Sequence, residues 1–164
     1  MIMILIGFMG SGKSTIAKRL HNNGFSYIDM DHWIESNEQQ SIPEIFNAHG
    51  EKHFRALEYN ALKETHDSYD CIATGGGIVT YQPSYEFLKS TKTPIVWLDA
   101  PIDKLLDRIS GDTNRPLAQN KQDIRERYKS RYDLYKSLAH IRIDTSAPVD
   151  DCVKEILEFI KQDA

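Results

Sequence analysis

Residues 7–15 read Gly-Phe-Met-Gly-Ser-Gly-Lys-Ser-Thr, a run that satisfies the spacing GxxxxGK[ST]. A loop this rich in glycine wraps its backbone amides around a phosphate, and a helix starting after it adds a positive N-terminus. Lys13 brings a point charge toward the β and γ phosphates, and the Ser14 hydroxyl suits Mg²⁺. Gly10, Ser11, Gly12, Lys13, Ser14 and Thr15 are the nucleotide-binding candidates, with Lys13 also a catalytic one. Asp29 and Asp31 form a second acidic feature. Carboxylates next to a phosphate site hold the water shell of Mg²⁺ or take a proton from an acceptor hydroxyl, although Asp31 also suits the plain task of capping a helix that begins at His32. Thr74-Gly75-Gly76-Gly77 exposes amides that a small ligand can approach closely, and a flexible turn is the alternative reading. Arg55, Arg115 and Arg131 are the candidate cations. By spacing alone Arg55 and Arg131 read as solvated, Arg55 pairing with Glu51 at i,i+4. Arg115 lies in a polar, turn-rich stretch suited to a flap that brings an arginine over transferring phosphate.

These residues need a scaffold that gathers them. Short runs rich in Ile, Val and Leu at 2–6, 27–28, 71–73, 94–98 and 140–143 predict five buried strands. Helical spacing predicts helices over 13–20, 42–62, 85–88, 102–109, 124–138 and 149–160. Strands that are apolar on both faces and alternate with helices predict a parallel sheet covered on both sides. Ligands of such sheets bind beyond the carboxyl ends of the strands, where the glycine loop, the Asp29–Asp31 pair and the triple glycine all fall. No Asp closes the third strand, since Asp70 precedes it, so Asp29 is the candidate for the magnesium water shell.

Composition narrows the partners. The chain carries 20 Lys and Arg against 24 Asp and Glu, a formal charge of −4, which argues against a general nucleic-acid binder. The 40% apolar content fits a folded domain, and no apolar run approaches the roughly 18 residues of a membrane span. Cys71 and Cys152 allow one disulfide at most, and the six histidines show no metal-ligand spacing. A reducing cytoplasm is the expected compartment.

Taken in order, GFMGSGKST, the Asp29–Asp31 pair, Ser41-Ile42-Pro43-Glu44-Ile45-Phe46 leading to Gly50-Glu51-Lys52-His53-Phe54-Arg55, Thr74-Gly75-Gly76-Gly77, Arg115-Pro116-Leu117 and Arg131-Tyr132-Asp133-Leu134-Tyr135 resemble the shikimate kinase family, within the nucleoside-monophosphate-kinase-like P-loop folds. The resemblance covers nearly the whole chain. It implies a three-layer α/β/α P-loop NTPase fold with a five-stranded parallel sheet of order 2-3-1-4-5, over one domain at 1–164. Within that domain a substrate-binding segment is expected at about 31–60 and a lid at about 110–120. It further implies that Asp31 holds the substrate hydroxyls and acts as base, that Arg55 and Arg131 grip the shikimate carboxylate, and that Gly76 offers its backbone amide. Arg115 would reach ATP from the lid, and Ser14 with Asp29 would support Mg²⁺, Asp29 through water. The activity implied is ATP-dependent phosphorylation of the shikimate 3-hydroxyl in chorismate and aromatic amino-acid biosynthesis, by a cytoplasmic monomer without nucleic-acid or membrane partners. Two rivals share the first motif: another small-molecule P-loop kinase, acting on gluconate or a nucleoside monophosphate, and a non-catalytic nucleotide-binding module.

Overall fold

The computed structural model describes residues 1–110 and 121–163. Five strands, β1 (Met3–Ile6), β2 (Tyr27–Asp29), β3 (Cys71–Ala73), β4 (Ile95–Asp99) and β5 (Ile141–Asp144), form one parallel sheet of order β2-β3-β1-β4-β5. Among the described residues the helices are α1 (Lys13–Asn22), α2 (Met30–Glu38), α3 (Ile42–His49), α4 (Glu51–Thr65), α5 (Gln82–Ser90), α6 (Ile102–Ser110), α7 (Lys121–Leu138) and α8 (Val149–Asp163), with a 3-10 turn at Ile78–Thr80. This is the three-layer P-loop fold that the sequence motifs imply.

Side-chain alternation explains the two covers. Met3 and Leu5 of β1, Cys71 and Ala73 of β3 and Val96 and Leu98 of β4 pack with Ile16 and Leu20 of α1 and Val153 and Ile156 of α8. Ile4, Ile6, Ile72, Ile95 and Trp97 point the other way, into a larger core with residues of α2 through α7. Every residue of β1, β3 and β4 is buried, so those strands lack the polar alternation of a half-exposed sheet. Cys71 and Cys152 both lie in the first core as free thiols. Among the described residues no helix is long and apolar enough to cross a membrane.

The helix expected over 42–62 is two helices. Gly50, at φ 85°, ends α3 and opens α4 in a conformation that a side-chain-bearing residue adopts only under strain. The first of the pair starts firmly: the Ser41 side chain accepts from the Glu44 amide, the Glu44 side chain accepts from the Ser41 amide, and Pro43 sits in the first turn. Helix α2 was legible only as a stretch following Asp31. It begins at Met30, so Asp29 is its cap and Asp31 lies inside its first turn.

Candidate active site

The chemistry collects at the carboxyl edge of the sheet. The glycine loop follows β1, Asp29 ends β2, the triple glycine follows β3 and Thr145 follows β5. Two hydrogen bonds from Thr74 to the Leu5 carbonyl, 3.1 Å from its amide and 2.7 Å from its hydroxyl, tie the start of the triple-glycine turn to β1. Together they line a cavity of about 570 Å³, within the range of small-molecule sites.

At the phosphate end, Gly12 precedes α1 without a side-chain cap, leaving the first amides of that helix for an anion. Lys13 folds back over the loop, its Nζ donating to the Gly7 carbonyl at 2.6 Å and the Phe8 carbonyl at 3.1 Å. Ser14 donates from Oγ to Asp29 Oδ2 at 2.9 Å, and Asp29 Oδ1 accepts from the His32 amide at 3.5 Å. The two magnesium candidates, Ser14 and Asp29, are therefore side by side, whereas the capping task considered for Asp31 belongs to Asp29. Gly10, Gly12, Lys13, Ser14 and Thr15 line the cavity, and Ser11 is buried beneath it. Magnesium keeps most of its waters and takes only one or two protein oxygens beside substrate phosphates, and this hydroxyl and carboxylate fit that donor set.

The opposite end is lined by Asp31, Gly75 and Gly76. Behind it, α4 and α7 converge. Arg55 and Arg131 are each only 8% exposed, which overturns their reading as solvated arginines. Glu51 does approach Arg55, at 3.8 Å, but the close partner is Glu58, whose Oε1 accepts from Arg55 Nη1 at 2.8 Å. Arg131 lies over the Phe8 ring and also lines an open groove with Glu51, Thr80 and Arg127. Glycine lets the backbone pass close to this cluster: a Cβ on Gly75 would push against the Glu58 carboxylate, and one on Gly77 against the Arg55 guanidinium.

Glu58 escaped the sequence reading. It is fully buried, its Oε2 has no hydrogen-bond partner, and burial pushes its carboxyl up to about 7, Arg55 pulling it down and Asp31 adding to the rise. An i,i+3 charge pair on a helix resembles any solvated pair, so only the packing of α4 reveals it. Arg108 escaped as well. At the end of α6 it donates to the Gly10 carbonyl at 3.1 Å and the Thr145 carbonyl at 2.6 Å, joining the glycine loop to the turn after β5. That turn supplies Thr145 and Ala147 to the cavity. Arg115 and most of the expected lid fall in 111–120, outside the described residues.

The family model described as shikimate kinase matches residues 9–161. A shikimate kinase of Staphylococcus haemolyticus is 41% identical over 161 residues, covering 96% of this chain and 93% of the relative. One from Staphylococcus aureus strain JH9 is 42% identical over 163 residues, covering 97% and 93%. Among solved structures, the shikimate kinase of Acinetobacter baumannii in complex with shikimate superposes with a TM-score of 0.90 at 36% identity, covering 98% of this chain and 93% of that one.

Proposed function

The chain belongs to the shikimate kinase family, and from that premise we propose that it transfers the γ-phosphoryl group of ATP to the 3-hydroxyl of shikimate, giving shikimate 3-phosphate and ADP in chorismate and aromatic amino-acid biosynthesis. The observation that carries this reading is one cavity with a phosphate loop at one end and, at the other, Asp31 and Gly76 backed by two buried arginines.

Each residue has a task in this reading. The amides of residues 10–15 cradle the phosphates, and Lys13 leaves its loop carbonyls to follow the moving phosphoryl group. Ser14 and Asp29 hold Mg²⁺, Asp29 through water; the ion, when bound, neutralises charge on the phosphates. Arg55 and Arg131 present planar guanidinium forks to the substrate carboxylate, and the Gly76 amide supports the ring. Asp31 aligns the acceptor hydroxyl and takes its proton as the hydroxyl oxygen bonds to phosphorus and the bridge to ADP breaks. Arg115 stabilises the same charge from the segment beyond α6, a role that rests on the family resemblance alone. Residues 1–164 are read as one kinase domain, acting as a cytoplasmic monomer.

The test is coupled ADP release with ATP and Mg²⁺, comparing shikimate, gluconate and nucleoside monophosphates as acceptors. Release that depends on shikimate is expected. Release indifferent to shikimate, or driven by another acceptor, refutes the assignment.

A further inference from the structure

The last motif of the sequence, Arg131 through Tyr135, ends on a buried hydroxyl to which the reaction has given no task. Tyr135 is completely buried in α7, stacked on Trp97 with ring centroids 6.0 Å apart. A phenylalanine would satisfy that packing equally well, so the hydroxyl is explained by its partners. It donates to the Gly76 carbonyl at 2.6 Å, and the Arg131 guanidinium, four residues earlier on the same helix, is its electrostatic neighbour. Burial keeps the phenol protonated, so it stays the donor to that carbonyl.

The three glycine carbonyls are held differently. Gly75 accepts from the Ile78 amide at 3.2 Å and Gly77 from the Thr80 amide at 3.0 Å, both within the local 3-10 turn. The Gly76 carbonyl is instead held by a side chain 59 residues further along. Gly76 sits against the glycine loop, where a Cβ would lie 3.2 Å from the Met9 amide nitrogen, and Gly77 sits against Arg55. A triple glycine has little stiffness of its own, so a peptide wedged between the phosphate loop and an arginine depends on outside contacts for its orientation. In a trans peptide the Gly77 N–H points opposite the held carbonyl, so one hydroxyl fixes both.

We propose that Tyr135 is a positioning residue of the acceptor site, its hydroxyl locking the Gly76–Gly77 peptide and the Arg131 guanidinium into one fixed arrangement. This rests on the shikimate kinase reading, and the experiment separates the two. In Tyr135→Phe the KM for shikimate should rise roughly tenfold while the KM for ATP stays within about twofold and the melting temperature stays near wild type. In an Arg131→Ala background the same step should change the shikimate KM by less than about threefold, because half of the arrangement is already gone. Both KM values moving together, neither moving, or loss of cooperative folding overturns the proposal. Wild-type protein that ignores shikimate refutes the functional reading instead. The positioning role is then read from amide exchange over 75–80 without ligand: faster exchange in Tyr135→Phe supports it, and unchanged exchange overturns it.

Discussion

Replacing Glu58 by Gln should change how the stability of this protein depends on pH. The group is a fully buried carboxyl raised from 4.5 to about 7, with burial the leading cause, Arg55 opposing and Asp31 adding. A carboxyl whose folded value exceeds its unfolded one binds its proton more tightly in the native state. Protonation therefore stabilises the fold below about 7, and that stabilisation is lost as pH rises from 4.5 through 7. Each unit is worth about 1.4 kcal/mol, so the full span corresponds to about 3 kcal/mol, most of it falling between pH 5 and pH 8. Urea unfolding at those two pH values, in wild type and in Glu58→Gln, isolates this one group because every other titration is shared. The wild type should lose about 2 to 3 kcal/mol more than the variant between pH 5 and pH 8. Parallel pH profiles for the two proteins would show that Glu58 titrates normally, and that its contact with Arg55 outweighs its burial.

Two further outcomes follow from the site. Asp31→Asn keeps the size and the hydrogen-bonding reach of the side chain but loses the base, so shikimate turnover should fall about 100-fold or more while ATP affinity, measured by calorimetry, stays near wild type. Near-normal turnover would remove Asp31 from the chemistry. Ser14→Ala deletes the hydroxyl that meets Asp29 at 2.9 Å; the Mg²⁺ concentration for half-maximal ADP release should rise roughly tenfold or more, and an unchanged magnesium curve would place the ion elsewhere.

The parts of the site legible in the sequence are those whose geometry is local. The phosphate loop is defined by glycines and a helix start within nine consecutive residues, and Asp29 was placed beside it because both the loop and Asp29 follow strands of one parallel sheet. The burial of Arg55 and Arg131 was not legible, because it depends on α4 and α7 converging from positions 76 residues apart. The same holds for the Tyr135 contact with Gly76. Gly50 shows the opposite limit: apolar periodicity runs through it undisturbed, and only its backbone conformation divides the expected helix into α3 and α4. The displaced cap is subtler still, since both Asp29 and Asp31 suit an N-terminus and the choice turns on a helix starting two residues earlier than its apolar pattern suggests.

Asp29 serves two neighbours with its two oxygens, one receiving the Ser14 hydroxyl and the other the His32 amide. Over evolutionary time this makes the position answerable to two demands. Serine or threonine would still begin α2 well but forfeit the charge facing Ser14, and glutamate would keep the charge but forfeit the short reach a cap requires. Asparagine would preserve the cap and remove the charge on which the proposed magnesium role depends. Because α2 also carries Asp31 in its first turn, drift at position 29 would be felt at the acceptor end as well as the nucleotide end. Divergent copies of this gene that exchange their acceptor should therefore alter the residues around Arg55 and Arg131 long before they alter Asp29.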